Sequence, residues 1–581
     1  MPDPQLVLAA RVQAALSAAF GPSYADADPV IRPSQFADLQ ANVALPLAKK
    51  LGRKPRDVAD EIVKHLDTGD VVANVEVSGP GFINLTLSDA WIAGEAQRAL
   101  EDERLAVPAA DAPQKVVVEY SSPNVAKEMH VGHLRTTIVG DAIARILAFL
   151  GHDVVRDNHV GDWGTPFGML IEHLLDLGED AAARGDSSVS DLTAFYQAAR
   201  EKFDGDEEFA DRSRKRVVAL QAGDPETLRL WNVLVDVSKK YFNAVYERLG
   251  VTLTDDDIRG ESFYNDLLAP TVQELEEKGI AVVSDGALCA FPPGFKGRDG
   301  EPLPVIIRKS DGGYNYSTTD LATIRYRVDT EHVDRMIYVV GAPQSLHFQM
   351  VFAVARMAGW LNDEVKAEHA QIGNVLGTDG KILRTRAGGT VKLAELLDEA
   401  VERAGAVFDE IQHDEPFDDE TREAIVQDVA IGAVKYADLS VARDSEYVFD
   451  FDRMISFNGK TGPYLQYAAA RIRSIFRKGG VSVEDATGPI TLGHPAERAL
   501  ALELLGLGAV LKQAGDTAEP HRLASYVYAV ADAYTSFYEN CPVLKAPDEA
   551  TKASRLALCA ATLRTLETGL HLLGVPTPER M

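Results

Sequence analysis

The stretch Glu119-Tyr-Ser-Ser-Pro-Asn-Val-Ala-Lys-Glu-Met-His130-Val-Gly-His133 constrains this chain more than any other. It follows a β-branched run, Val116-Val117-Val118, of the kind that forms a parallel strand buried on both faces. Pro123 and Asn124 end the strand, and Leu134, Ile138, Ala142 and Ile146 then recur at helical spacing. Two histidines and a glycine therefore stand at a strand-to-helix corner. Such a corner offers free backbone N–H groups and the positive end of a helix dipole to an anion. Gly132 leaves room for a flat ring to approach the backbone. Imidazole N–H groups suit phosphate oxygens as charge builds on a leaving pyrophosphate. The corner predicts a nucleotide triphosphate site.

The rest of the chain sets that corner in a larger frame, since 581 residues are too many for a single core. Helical patterns over 6–20 and 36–66, then strand-like runs over 73–77 and 82–87, predict an N-terminal α/β module spanning 1–110. A loose linker, 107–113, leads out of it. Strand patterns at 153–156, 336–340 and 371–375 alternate with helical ones. They predict an α/β, doubly wound parallel-sheet (Rossmann-type) domain over 111–455, with ligands at the carboxyl ends of its strands. A charged, mostly helical stretch at about 175–305 reads as a helical insertion. From 456 to 581 the pattern is that of a C-terminal helix bundle.

Composition excludes several classes. With 46% hydrophobic and 25% charged residues, this is the make-up of an ordinary soluble protein. Cys289, Cys541 and Cys559 are too scattered for a disulfide framework or a zinc knuckle, so a cytoplasmic location is expected. Residues 1–20 read as an amphipathic helix and not a signal peptide, and no apolar run is long enough to span a bilayer. A net charge of −29 disfavours indiscriminate nucleic-acid binding. The charge is uneven, however: residues 456–581 hold 13 basic and 12 acidic groups, close to neutrality. Basic runs at 49–56, at 212–216 and at Arg471, Arg473, Arg477 and Lys478 read first as solvated faces.

A planar guanidinium pairs best with a carboxylate, and Glu119 and Asp320 are the candidate carboxylates for such a ligand. Tyr316 and Asp320 are four residues apart, which places phenol and carboxylate on one helical face. Alone, Asp320 reads as a helix-start acid and Tyr316 as a packing residue. Glycines around Lys381, Arg384 and Arg386 in 377–389 suit a mobile loop over phosphates, or a plain basic hairpin.

Residues 121–135 resemble the His-x-Gly-His signature of class I aminoacyl-tRNA synthetases, in the form found in the arginyl-tRNA synthetases. The resemblance implies activation of L-arginine by ATP to arginyl-adenylate, transfer to the 3′ end of tRNA(Arg), and activation that requires the tRNA. By the same likeness, Tyr316-Ser-Thr-Thr-Asp320-Leu-Ala reads the arginine side chain together with Glu119. Asn124 holds the α-amino end and Gln344 adds a polar contact. Lys381-Ile-Leu-Arg384 stands where the class carries Lys-Met-Ser-Lys, and Lys127 is the substitute cation for the missing second lysine. ATP then meets His130, Gly132, His133, Lys381 and Arg384, with Mg²⁺ arriving as part of the substrate and no dedicated protein metal site. Lys460-Thr-Gly-Pro-Tyr464-Leu-Gln-Tyr467-Ala-x-x-Arg471 is similar to the helix entering the family's anticodon-binding domain; Tyr464, Tyr467 and Arg471 share one face. Residues 37–42, with Gln40 and Asn42, resemble the segment that touches the tRNA elbow. The family expectation is a monomer. Two alternatives stay open: a class I synthetase for another amino acid, and a non-catalytic tRNA-binding paralogue. The second would be expected to have lost a signature histidine or the loop lysine, and all three are present.

Overall fold

The computed structural model describes residues 3–178, 190–384, 390–410 and 416–581. Its central sheet has four parallel strands in the order Lys366–His369, Arg335–Tyr338, Lys115–Glu119, Asp153–Asp157. Val116, Val117 and Val118 are wholly buried, as a strand covered on both faces requires. The order of connection reverses between Lys115–Glu119 and Arg335–Tyr338, so the topological switch point lies where Glu119 ends. The helix Val131–Phe149 returns from that point over the sheet.

Two strand assignments move. The edge strand is Lys366–His369 and not 371–375, which meets the central sheet only through a bridge from Ile372 to Gly341. An edge strand faces water on one side, so its mixed Lys-Ala-Glu-His sequence carries no apolar run to mark it. Val375–Leu376 pairs instead with Tyr447–Val448.

The described residues of the insertion are mostly helical through Glu277, and the segment then departs from expectation. A three-stranded antiparallel sheet, Ala281–Ser284, Ala287–Ala290 and Val305–Arg308, closes it. In the N-terminal module the 36–66 pattern is likewise not one helix. Leu39–Ala41 is a strand in a four-stranded sheet with Ile31–Pro33, Val72–Ser78 and Phe82–Leu87. The helices Ala44–Leu51 and Pro55–His65 follow, separated by Gly52 at φ +62° and started again by Pro55. From Gly462 on, the described residues form helices and no strands. No helix among the described residues is long and apolar enough to cross a membrane.

Candidate active site

The signature loop is held from beneath by the insertion. Tyr246 and Ser121 share a hydrogen bond at 2.7 Å, Ser238 Oγ accepts the Ala126 N–H at 2.9 Å, and Tyr241 Oη accepts the Met129 N–H at 3.0 Å. All three supports come from the helix Pro225–Leu249. Ser121, Ser122 and Ala126 sit at φ +70°, +49° and +59°. Non-glycine residues persist in that region only where surrounding contacts hold them; Ser121 and Ala126 have these bonds, and the Ser122 N–H donates to Asn158 Oδ1 at 3.0 Å. A charged helical stretch carries no local mark of this role.

The loop delivers His130 as the N-cap of the helix Val131–Phe149. His130 Nδ1 accepts the Gly132 N–H at 3.1 Å, and His133 Nδ1 accepts the His130 N–H at 3.0 Å. The ring centroids lie 4.0 Å apart. Burial and the neighbouring His130 push the His133 pKa down to about 3, and burial with the charge of Lys127 lowers that of His130. Both rings are therefore neutral at pH 7, and an accepting Nδ1 leaves the proton on Nε2. This corrects one expectation. Val131 N–H donates to Val391 O, Gly132 N–H to His130 Nδ1 and His133 N–H to His130 O, so these backbone donors are taken. The corner presents imidazole Nε2–H groups in their place.

Lys127 is exposed three residues before His130, with its ammonium 4.5 Å from the Tyr196 ring centroid. A second cationic segment follows Leu376. Gly377–Lys381 turns tightly, with Gly380 at φ +73° and Gly377 N–H donating to Lys381 O at 2.7 Å. Lys381 and Arg384 are exposed and line an 850 Å³ cavity with Glu395, Glu399, Phe449 and Phe451. Arg386 and Gly389 lie outside the described residues. The chain then returns to the histidines, for Lys392 bridges His130 and Leu393 N–H donates to Met129 O.

At the carboxyl end of the sheet the carboxylates gather. Tyr316 and Asp320 open the helix Tyr316–Asp329 on one face, and Tyr316 is 61% exposed, so it is no core residue. Asp320 Oδ2 bonds His347 Nε2, and the His347 ring packs edge-on against Tyr316 at 4.9 Å. Glu119 differs from its expected state. Its Oε2 is committed to an internal guanidinium, Arg327 Nη2, at 2.7 Å, and the same nitrogen binds Asp157 Oδ2 at 2.8 Å. Burial raises the pKa of Glu119 against the opposing charges of Arg327 and His159. Burial disfavours charge on His159, but Glu119, Asp157 and Asp320 together outweigh it and raise its pKa. Glu261 is pushed up to about 7 by burial, with Asp162 and Asp320 adding to the effect and His159 opposing it. The ligand atoms of Glu119, Asp157 and His159 come within 4.8 Å of one another, as a metal site would require. The Arg327 guanidinium already bonded to both carboxylates fits a cation poorly there.

Asn124 bridges Gly161, whose missing Cβ makes room for the Asn124 Oδ1. Gln344 is exposed at the end of the short 3₁₀ turn Ala342–Gln344. His347, Arg327, Asp157, His159 and Glu261 went unmarked in the sequence reading. His347 stands three residues after the candidate Gln344, whereas Glu261 carries no signal at all.

The remaining candidates lie on the flanking regions. Arg471 stacks over Tyr467 and Tyr538 at 5.1 and 4.8 Å, while Tyr464 is half-buried and bonded to Thr535 at 3.0 Å. Arg473 and Arg477 bind carbonyls of the C-terminal tail, so that part of the basic run is structural. Arg212, Lys215 and Arg216 are likewise in ion pairs. Gln40 donates to the buried Asn84 at 2.7 Å, Asn42 is half-buried, and Leu39 beside them is a core residue at 7% exposure.

Comparison with known proteins places the chain in a family. A family described as "tRNA synthetases class I (R), catalytic domain" matches residues 95–451, which defines the class. Flanking matches are to "Arginyl tRNA synthetase N terminal domain" over 6–87 and "DALR anticodon binding domain" over 465–581. An arginine–tRNA ligase of Thermobifida fusca is 66% identical over 581 residues, covering 100% of both chains. One of Streptomyces avermitilis is 51% identical over 579 residues, covering 98% of each. The solved arginyl-tRNA synthetase of Plasmodium falciparum superposes with a TM-score of 0.83 at 29% identity, covering 100% of both chains. That of Thermus thermophilus gives 0.81 at 27%, covering 99% of this chain and 100% of its own. The chain belongs to the arginyl-tRNA synthetase family.

Proposed function

We propose that this chain joins L-arginine to tRNA(Arg) in two steps at the sheet's carboxyl edge. The arginine α-carboxylate attacks the α-phosphorus of ATP, giving arginyl-adenylate and releasing pyrophosphate. A ribose hydroxyl at the tRNA 3′ end then attacks the activated carbonyl, its proton is lost and AMP leaves. The observation that carries this reading is the mutual capping of His130 and His133, which keeps two neutral Nε2–H donors beside each other at a helix start. Donors that need no reorganisation stabilise charge as it develops on the phosphates. Lys127, Lys381 and Arg384 supply cationic charge to the triphosphate, and Mg²⁺ travels with ATP. Gly132, exposed and without a side chain, is the adenine-facing position.

Asp320, steadied by His347 and flanked by Tyr316, pairs with the substrate guanidinium. Glu119 adds negative potential to the pocket and not a free two-oxygen fork, because Arg327 holds one of its oxygens. Asn124 and Gln344, both exposed in segments that follow strands of the sheet, take the α-amino group and a further polar contact. Residues 1–110, with Gln40 and Asn42, meet the tRNA elbow; residues 111–455 carry the chemistry; and 456–581, with Tyr464, Tyr467 and Arg471, receive the anticodon. The cationic aromatic stack of Arg471 supports that last role. The protein acts as a cytoplasmic monomer, and activation waits for tRNA. Exchange of labelled pyrophosphate into ATP tests the reading. Exchange is expected only with arginine and tRNA together, exchange with a different amino acid would sink the pocket assignment, and exchange without tRNA would remove the tRNA requirement.

A further inference from the structure

One buried guanidinium joins the histidine helix to the root of the cationic loop. Arg135 lies two residues after His133 on the signature helix, and neither its side chain nor that of Asp438 is exposed to solvent. Its Nε donates to Asp438 Oδ1 at 3.1 Å. Its Nη1 donates to two carbonyls, Gly373 O at 2.9 Å and Ser445 O at 2.8 Å. Its Cζ also sits 5.0 Å from the Tyr447 ring centroid.

These carbonyls have a common destination. Gly373 precedes the strand Val375–Leu376 and Ser445 precedes Tyr447–Val448; the two strands pair in parallel, with Val375 opposite Tyr447. The first of them runs directly into the turn of Gly377 to Lys381 and so into Arg384. The two backbones approach so closely that a Cβ on Gly373 would lie 2.4 Å from Ser445 O. A single planar fork thus spans the histidine helix and the root of the cationic loop. The pair is also costly to bury. Among the described residues, Arg135 Nη2 has no hydrogen-bond partner. A buried ion pair is weak evidence for stability, and its better-attested use is to select one geometry.

We propose that Arg135, oriented by Asp438, is a positioning residue that fixes the spacing between the His130–His133 corner and the Lys381–Arg384 loop. The inference rests on the proposed ligase reaction, in which the corner and the loop grip one triphosphate. Arg is required because a lysine's point charge cannot satisfy a carboxylate and two carbonyls in one plane. An error of about 1 Å in such spacing is enough to lower turnover by about a hundredfold.

The test uses the full chain with ATP, arginine and tRNA, and two variants, Arg135→Lys and Asp438→Asn. Far-UV circular dichroism checks folding, active-site titration counts competent molecules, and kcat per titrated site is compared with the KM for arginine. The expected result is native dichroism and full titre. Turnover per site should be roughly tenfold or more lower in Arg135→Lys and about fivefold lower in Asp438→Asn. Arginine KM should stay within about twofold of the parent, because the arginine pocket lies elsewhere. If one variant fails to fold, the other decides. Wild-type turnover per competent site in a folded variant overturns the proposal, since a merely structural pair would lower the titre and not the rate of each molecule. An unmodified chain with no arginine- and tRNA-dependent turnover overturns the ligase reading and this inference with it. An active parent beside unaffected variants overturns the inference alone.

Discussion

His133 accepts the backbone N–H of His130 through Nδ1 at 3.0 Å, while His130 uses its own Nδ1 to accept from Gly132 at 3.1 Å. The two imidazoles therefore carry out the capping that Ser or Asp performs at most helix starts, and their tautomers follow from it. Helix capping and the two Nε2–H donors share the same two rings.

His133→Asn separates those jobs. Its amide oxygen can still accept the His130 N–H, but nothing replaces the Nε2–H. Activation should slow by about 10²- to 10³-fold with little change in arginine KM and native dichroism. Undiminished pyrophosphate exchange would remove His133 from the phosphate-binding set.

Asp320→Asn keeps a partner for His347 and removes the charge that we propose faces the substrate guanidinium. Arginine KM should rise by about ten- to a hundredfold, the equivalent of about 1.5–3 kcal/mol for a charge-assisted bond. The KM for ATP should stay within about twofold. Equal losses for both substrates would mean that Asp320 serves the fold.

Glu261 should make arginine use depend on pH. Its folded pKa is raised from 4.5 to about 7, so it is protonated at pH 6 and ionised at pH 8. Arginine KM should fall by about two- to fivefold as pH rises through 7, because a second carboxylate joins Asp320. Glu261→Gln should flatten that profile. The linked effect on folding has the opposite sense: a raised carboxyl pKa stabilises the fold fully below 4.5 and loses that contribution as pH climbs through about 7. Parallel profiles for parent and variant would be the contrary result.

Arg327→Met leaves Glu119 and Asp157 buried without their shared cation. Breaking such a cluster by removing one partner destabilises by about 3–5 kcal/mol. Denaturant unfolding measures this directly. A loss under about 1 kcal/mol would show that the two carboxylates tolerate each other without the guanidinium.

Much of the site was legible because its signals are local. Val116–Val118 announces a covered strand, Pro123 ends it, and the His130-x-Gly-His133 corner follows within a few residues. The pairing of Tyr316 with Asp320 needed only helical periodicity. The single-helix reading of 36–66 failed where apolar spacing is compatible with more than one structure. Leu39 and Ala41 alternate into a sheet before the helix pattern begins, and only pairing with Ile83 and Leu85 shows it.

The sequence by itself determined the class of fold, the histidine corner and the cationic loop, since each is written in residues close along the chain, and it offered Glu119 and Asp320 as candidate carboxylates. Tertiary structure alone decided which charges are free to meet a ligand. Glu119 meets Arg327 across 208 residues and Arg135 meets Asp438 across 303. Coulomb attraction inside a low-dielectric core depends on distance in space, and no pattern of spacing along a chain encodes it.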